Sequence, residues 1–322
     1  MPQNNAPYAI VFPGQGSQEV GMGRDLNDKY EVSRKAFNEA DEALGFSLSR
    51  IIFDGPEDEL VKTAITQPAI LVASIAVLRA IESEMGHPLK PLFYAGHSLG
   101  EYTALVASGV LSLGDAAVLV HKRGALMQEA VPLGRGAMSA VMGLDMEKIR
   151  SVCEEAAGGG VCSPANVNAP TQIVISGDAA AVARAGALAK ERGAAKVIPL
   201  KVSAPFHCAL MRPVADKLRE AFSSCEWRKP SVPIMANVDA KPKDTVETIQ
   251  SALYDQTYSP VLWSDEVLAM AEAGTELFVE LGPGSVLSGL IKRIAKGKIT
   301  ISSGGTSGIA GVIELLGKGG PV

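Results

Sequence analysis

The chain has 322 residues, of which 47% are hydrophobic and 20% are charged, and its formal net charge is -5. This hydrophobic fraction excludes an intrinsically disordered chain. The mild acidity argues against a nucleic-acid partner, because binding a polyphosphate requires a concentrated face of Lys and Arg. The length predicts either one large α/β unit or a main domain with a smaller one inserted into it.

Cysteine spacing and hydropathy indicate the cellular compartment of the protein. The four cysteines lack the close paired spacing of metal sites, and a disulfide framework is typical of smaller secreted chains. The polar N-terminus has no basic region followed by a cleavable apolar stretch. No uninterrupted apolar run approaches the ~18 residues that span a bilayer. We therefore expect a cytoplasmic protein with reduced thiols, no metal and no membrane contact.

Helical and strand-like segments alternate at both ends of the chain. An apolar run at Tyr8–Phe12 ends at a Pro-Gly pair, as expected of a buried strand that enters a loop. Apolar residues at helical spacing follow over residues 64–84. Further buried strands are predicted at residues 92–95, 232–235 and 277–281. Such alternation predicts a parallel sheet with helices on both faces, an α/β architecture of the hydrolase type.

The middle of the chain has a different order of elements. Strands are predicted at 137–142, 161–167, 172–176 and 196–202, with helices at 145–157 and 178–193. The resulting β-α-β-β-α-β order is the ferredoxin-like signature. We therefore expect a small ferredoxin-like subdomain at residues 130–202, inserted into a large catalytic domain formed by residues 1–129 and 203–322.

The strongest chemical signal is the pattern Gly-His-Ser-Leu-Gly at residues 96–100. It follows a predicted strand and precedes the helical segment 101–108, the context of a nucleophile elbow. A serine on such a turn projects its hydroxyl into open space. The N-terminus of the following helix favours the anion that develops when a carbonyl is attacked. The pattern predicts acyl transfer with Ser98 as nucleophile, the alternative being a structural turn with a capping serine.

A serine hydroxyl needs a base to remove its proton, and the chain has four histidines. The residues alone favour His207, which lies in the loop where the predicted subdomain returns to the main sheet. A hydrogen-bonded or exposed side chain without catalytic function is the open alternative. The other three are His87 in a polar loop, His97 beside the serine but pointing elsewhere, and His121 in a cationic run.

Arg123 lies on a helix-like segment in otherwise apolar surroundings. A surface arginine whose stem lies along apolar neighbours is the ordinary interpretation. The functional hypothesis is that the planar Arg123 guanidinium donates two hydrogen bonds to a substrate carboxylate, a role that lysine fills less specifically.

Six ordered motifs across nearly the whole chain resemble the malonyl-CoA:acyl carrier protein transacylase family, which includes the acyltransferase domains of fatty acid and polyketide synthases. The motifs are Phe-Pro-Gly-Gln-Gly-Ser-Gln at 12–18, Gly-His-Ser-Leu-Gly-Glu-Tyr at 96–102, Arg-Gly at 123–124, Ala-Asn-Val-Asn at 165–168, Pro-Phe-His-Cys at 205–208 and Glu-Leu-Gly-Pro-Gly at 280–284.

The resemblance implies a role for each matching residue. Ser98 would be the nucleophile, His207 the general base and Arg123 the ligand of the malonyl carboxylate. The backbone N–H groups of Gln15 and Leu99 would form the oxyanion hole.

Two further positions follow from the same resemblance. In this family the histidine is oriented by a main-chain carbonyl, here that of Gln256, so that a dyad replaces a triad. Phe206 and Leu99 resemble the malonyl-selecting versions of their motifs.

The implied activity is transfer of the malonyl group from malonyl-CoA to the phosphopantetheine thiol of acyl carrier protein. The reaction would be ping-pong through a malonyl-Ser98 ester, for fatty acid or polyketide biosynthesis. The implied protein is a monomer without a cofactor, since the coenzyme A thioester is a substrate.

Two rival functions remain at this point. A serine esterase or thioesterase would place Asp145 or Asp178 in the triad, although N-capping of a helix is sufficient to explain either residue. A non-enzymatic acyl-binding module would have an unreactive Ser98.

Overall fold

The computed structural model describes residues 6–317, except residues 133, 201 and 203. Within these ranges the strands are β1 (Tyr8–Phe12), β2 (Phe93–Gly96), β3 (Gly136–Met142), β4 (Cys162–Ala169), β5 (Gln172–Asp178), β6 (Lys196–Pro199), β7 (Ile234–Ala236), β8 (Lys241–Lys243), β9 (Leu277–Leu281) and β10 (Ile299–Ser303). The helices are α1 (Arg24–Lys29), α2 (Glu31–Leu44), α3 (Leu48–Asp54), α4 (Glu57–Leu60), α5 (Thr63–Met85), α6 (Leu99–Ala107), α7 (Leu113–Glu129), α8 (Met146–Ala157), α9 (Ala179–Glu191), α10 (Arg212–Phe222), α11 (Val246–Gln256), α12 (Trp263–Glu272), α13 (Val286–Ile294) and α14 (Thr306–Leu316).

The larger sheet has the strand order β10-β9-β1-β2-β7-β8 and is parallel except for β8, which runs antiparallel to β7. Alternate residues of the central strand β1 face opposite sides. Ile10 and Phe12 enter the core formed with α2, α5, α6 and α7, whereas Ala9 and Val11 pack against α12 and α13. The predicted parallel sheet with helices on both faces is confirmed.

The register of this sheet brings several strand ends together. Phe12 pairs with Gly96, and Val11 pairs with Glu280 on the other side of β1. The loops after β1, β2 and β9 therefore leave the same edge of the sheet. In open α/β sheets, ligands bind at the carboxyl ends of the strands.

The smaller sheet is antiparallel, with the order β4-β5-β3-β6. Helices α8 and α9 pack on it through their own apolar core. In chain order its elements are β-α-β-β-α-β, so the ferredoxin-like prediction is confirmed. The last strand is shorter than expected and ends at Pro199, while Lys201 of the predicted strand lies outside the described residues.

Backbone hydrogen bonds join the smaller sheet to the segment between α11 and α12. Val167 in β4 donates its N–H to the carbonyl of Val261, and Val261 donates to the carbonyl of Ala165. We propose that residues 130–202 form an inserted subdomain beside a large domain of residues 1–129 and 203–322, whose termini 1–5 and 318–322 lie outside the described residues.

One helix of the described chain has the length and hydropathy of a membrane span. Helix α5 has 23 residues, and 83% of its most apolar window is buried inside the protein. It packs against α2, α6 and α7 in the main core. A core helix meets the same criterion, because a helix surrounded by other elements is apolar on all sides.

Candidate active site

The predicted elbow lies between β2 and α6, and Ser98 occupies the turn with φ 52° and ψ -99°. A non-glycine residue with positive φ is strained by about 1–3 kcal/mol. The flanking glycines are required by close packing. A Cβ at Gly96 would lie 2.0 Å from the carbonyl carbon of Gly100, and one at Gly100 would lie 2.1 Å from the carbonyl oxygen of Phe12. The turn therefore presses against both β1 and its own helix.

The structure brings Ser98 and His207 together across 109 residues of sequence. The Ser98 Oγ lies 2.7 Å from His207 Nε2, and His207 Nδ1 lies 2.9 Å from the main-chain oxygen of Gln256. Because a carbonyl oxygen only accepts, Nδ1 carries the proton of the neutral imidazole. The lone pair of Nε2 therefore faces the Ser98 hydroxyl.

His207 itself has an unusual backbone, with φ 57°. Among the described residues only Ser98, His207 and Ala240 combine a side chain beyond glycine with positive φ. Such strain persists where surrounding contacts hold it, and it clusters at functional sites.

Arg123 points inward from α7 and is only 1% exposed, so the surface interpretation is wrong. Its Nη1 donates to Gln67 Oε1 at 2.8 Å. Its Nη2 donates to Gln256 Oε1 at 2.9 Å and to Ser98 Oγ at 3.2 Å. The Nε–H is buried without an acceptor.

The charge of Arg123 has no anionic partner in the described part of the chain. No carboxylate oxygen there lies within 4.0 Å of its nitrogens, and the acceptors it does have are neutral. The guanidinium also lies 5.2 Å from the centre of the Tyr102 ring. A buried, permanently charged group in this state favours an incoming anion.

Burial also governs the proton affinity of the base. Burial and, to a smaller extent, the nearby positive charge of Arg123 together lower the pKa of His207 to about 3. The hydrogen bond to Gln256 acts in the opposite sense but is weaker. The imidazole is therefore neutral at physiological pH, as a general base must be.

The two amides expected to bind an oxyanion lie on either side of this turn. Gln15 follows β1 and lines the cavity in front of Ser98, while Leu99 is the first residue of α6. Neither N–H has an acceptor among the residues that the structure describes. Both are thus free to donate, and the Leu99 N–H lies at the positive end of the helix dipole.

A cavity of about 420 Å³ is lined by five of the seven predicted site residues. Its walls come from the loops after β1 and β2, from α5 and α7, from the smaller sheet and from the loop that carries Phe206 and His207. Leu99 and Gln256 lie behind the wall. The lining residues are Gln15, Gly16, Gln18, Val61, Gln67, His97, Ser98, Arg123, Met127, Met138, Asn166, Leu200, Val202, Phe206 and His207.

The other three histidines bond elsewhere. His97 lines the cavity, but its Nε2 lies 2.8 Å from Asn168 Oδ1, so it points away from the nucleophile as expected. His121 Nδ1 lies 2.8 Å from the carbonyl oxygen of Ala64, and His87 Nδ1 lies 3.0 Å from that of Pro88.

Neither aspartate of the rival hydrolase triad contacts His207. Asp145 caps α8 by accepting from the Lys148 N–H at 2.9 Å. Asp178 stands at the N-cap position of α9 but makes no capping bond. Its carboxylate accepts from the Val161 N–H at 2.7 Å instead, so the expected capping role of Asp178 is wrong.

Four buried polar residues around the elbow were not singled out from the sequence. Gln67 holds the Arg123 guanidinium, and Asn237, Glu101 and Glu266 lie behind Ser98. Asn237 directly follows β7, the parallel neighbour of β2. Its position at a strand's carboxyl end is the signal that could have identified it.

This arrangement defines a class of enzyme, the α/β acyltransferases that use a serine nucleophile. The chain belongs to the acyl transferase domain family, whose sequence model matches residues 9–309.

Individual relatives match over nearly their whole length. The malonyl CoA-acyl carrier protein transacylase of Escherichia coli strain K12 is 48% identical over 96% of this chain and 99% of its own. The protein of that name from Bacillus subtilis is 45% identical over 96% of each chain.

Solved structures agree with the sequence comparisons. An acyl carrier protein S-malonyltransferase from Vibrio cholerae superposes with a TM-score of 0.92 at 46% identity, covering 95% of this chain and 100% of its own. A malonyl-transacylase in complex with a type II polyketide acyl-carrier protein gives a TM-score of 0.93 at 46% identity, over 96% and 99% of the two chains.

Proposed function

We propose that this protein transfers the malonyl group of malonyl-CoA to the phosphopantetheine thiol of acyl carrier protein, for fatty acid or polyketide biosynthesis. One observation carries the proposal. The Ser98 hydroxyl lies between the neutral imidazole of His207 and the buried cation of Arg123, which has neutral acceptors only. A nucleophile beside an unneutralised cation suits an acyl group that ends in a carboxylate.

The first half-reaction loads the enzyme. As the Ser98 oxygen attacks the thioester carbonyl, its proton moves to His207 Nε2. The N–H groups of Gln15 and Leu99 stabilise the tetrahedral oxyanion. When the intermediate collapses, the carbon–sulfur bond breaks and coenzyme A leaves as a thiol with the proton from Nε2. The product is a malonyl ester on Ser98.

The second half-reaction reverses these steps with a new thiol. The phosphopantetheine sulfur attacks the Ser98 ester after giving its proton to His207. The same two amides stabilise the second oxyanion, and Ser98 recovers the proton as the ester bond breaks. No step requires a cofactor.

Throughout both steps, the Gln256 carbonyl holds the His207 ring in one orientation and one tautomer. A main-chain acceptor performs the orienting task without adding a negative charge. The absence of that charge fits a site that must attract the substrate carboxylate to Arg123.

We assign acyl selectivity to Arg123 and Phe206. The guanidinium supplies N–H donors to the malonyl carboxylate, and the buried Phe206 ring forms part of the apolar wall. An acyl group without a carboxylate leaves the buried charge unpaired, which disfavours it.

We further propose that the enzyme is a cytoplasmic monomer that contacts neither nucleic acid nor membrane. The cleft between the large domain and the ferredoxin-like subdomain would shield the ester from water, which competes with the carrier thiol.

Intact-protein mass spectrometry tests the proposal. Mixing with malonyl-CoA should add one malonyl group, peptide mapping should place it on Ser98, and Ser98→Ala should remain unmodified. Adding carrier protein with its phosphopantetheine arm should then move the group to that thiol. Release of free malonate at the rate of loading would instead support the hydrolase, and an unmodified wild-type protein would reject both enzymes.

A further inference from the structure

The strained backbone at Ser98 is held on both sides by side-chain amides. The Ser98 N–H donates to Asn237 Oδ1 at 2.7 Å, and the Ser98 carbonyl accepts from Gln256 Nε2 at 2.9 Å. Both peptide groups of the nucleophile are therefore bonded to residues more than a hundred positions away. Such contacts are what a positive-φ residue needs in order to persist.

Asn237 also reaches across the turn. Its Nδ2 donates to the carbonyl of Gly96 at 2.8 Å, two residues before the nucleophile. The orientation of this amide follows from its neighbours, because the Ser98 N–H requires an oxygen and the Gly96 carbonyl requires a donor. One planar group thus spans the bend from the end of β2 to Ser98.

The environment of Asn237 fixes the amide in turn. Its Nδ2 also donates to Glu266 Oε1 at 2.9 Å, and its backbone N–H donates to Glu101 Oε2 at 3.0 Å. Its carbonyl accepts from the Leu262 N–H at 2.8 Å. Asn237, Glu266 and Glu101 are buried. The amide has neither the space nor the free partners to rotate.

The two carboxyl groups need not bring two negative charges into this region. Burial raises the pKa of Glu266 well above its usual value, and the adjacent Glu101 raises it further. Burial raises the pKa of Glu101 to about 7. Both shifts favour the neutral form of the carboxyl groups beside the Asn237 amide.

We propose that Asn237 is a positioning residue for acyl transfer, whose side-chain amide holds the strained turn so that the Ser98 hydroxyl faces His207 and the Leu99 N–H faces the developing oxyanion. This inference rests on the proposed function. Asn237 does not line the cavity and does not contact Arg123 directly, although its Oδ1 accepts from Gln256 Nε2 at 3.3 Å. Its loss should therefore slow the chemical step without altering which acyl group is bound.

The test compares Asn237→Ala and Asn237→Asp with the wild type. Rapid mixing with saturating malonyl-CoA gives the rate constant for forming the Ser98 ester, and steady-state assays give KM and the malonyl-to-acetyl preference. We expect Asn237→Ala to slow acylation about 100-fold, since small displacements of reacting groups cost this much. KM and the acyl preference should stay unchanged, because Gln256 keeps its shorter bonds to the Ser98 carbonyl and Glu101, and Arg123 keeps Gln67 and Gln256.

Asn237→Asp supplies a second readout that a general loss of stability would not produce. It keeps an acceptor for the Ser98 N–H, but only its protonated form can donate to the Gly96 carbonyl. Burial of position 237 next to Glu101 and Glu266 favours that protonated form. We expect its acylation rate, relative to wild type, to rise as the pH falls, whereas the relative rate of Asn237→Ala stays flat.

Asn38→Ala, at an exposed asparagine of α2, is the matched control and should acylate like the wild type. If Asn237→Ala does not fold, Asn237→Asp and Asn237→Ser carry the test. Acylation of Asn237→Ala at the wild-type rate, or a loss of malonyl preference in parallel with rate, would overturn the inference alone. A wild-type protein that is never malonylated would overturn the proposed function instead.

Discussion

Removing the Arg123 guanidinium should abolish the preference for malonyl groups while leaving the nucleophile intact. Of its five N–H groups, three are bonded to Gln67, Gln256 and Ser98. The Nε–H is buried, so a substrate carboxylate in the cavity would bind at the Nη atoms.

The size of the effect follows from two N–H donors to the carboxylate. A hydrogen bond to a charged group contributes about 1.5–3 kcal/mol, so two of them give roughly 3–6 kcal/mol. At about 1.4 kcal/mol for each factor of ten, Arg123→Ala should lower kcat/KM for malonyl-CoA by roughly 10²–10⁴. Acetyl transfer should stay or rise, because its methyl group no longer meets an unpaired buried charge.

Competition between malonyl-CoA and acetyl-CoA at a fixed concentration of carrier protein measures the ratio directly. Acetyl transfer also serves as the internal control for an intact Ser98 and His207. Arg123→Lys should give an intermediate ratio, since an ammonium is a point charge without the planar fork. An unchanged malonyl-to-acetyl ratio in Arg123→Ala would refute the assigned role of the cation.

Three further outcomes are expected. In an NMR titration, the His207 imidazole should show a pKa far below its usual 6.5, and this pKa should rise in Arg123→Ala. A wild-type pKa near 6.5 would contradict the burial of the ring. Because the folded pKa is the lower one, the neutral ring stabilises the fold above pH 6.5, and this contribution is lost as the pH falls from 6.5 towards 3. Gly100→Ala should lower the free energy of unfolding in urea by more than about 3 kcal/mol, because its Cβ would collide with the Phe12 carbonyl. The control is Gly289→Ala at an exposed position of α13, where a Cβ meets no other atom and should be neutral or stabilising. Equal effects of the two variants would show that the turn at Gly100 can relax. Asp145→Ala should lose about 1 kcal/mol of stability as a missing helix cap without slowing malonyl transfer, and a rate as low as that of His207→Ala would restore the triad.

Local pattern was enough to predict most of the fold. The strands at Tyr8–Phe12 and Leu277–Leu281 coincide with the predicted ones because both are short apolar runs ended by Pro and Gly. The Gly/Ser-rich stretch at 302–308 has the composition of a loop, but it contains the end of β10 and the start of α14. Pairing with β9 overrides its weak strand propensity.

Some site residues can be predicted from local sequence and others cannot. Ser98 and His207 lie in motifs that can be read over a few positions, whereas Asn237 and Gln67 act only through partners 139 and 56 residues away. A lone Asn or Gln carries no local pattern that separates a buried donor from an exposed one. Their positions depend on strand order and helix packing, which periodicity alone does not supply.

The position of β1 between β2 and β9 has a consequence for the growing polypeptide on the ribosome. This strand is made first, yet one of its two neighbours begins only at Leu277. Chains fold as they are synthesised, but here the middle of the sheet cannot be completed until β9 has been made. A nascent chain therefore contains Ser98 and His207 for some time before it can react with thioesters, and we expect a product that ends before β9 to be inactive.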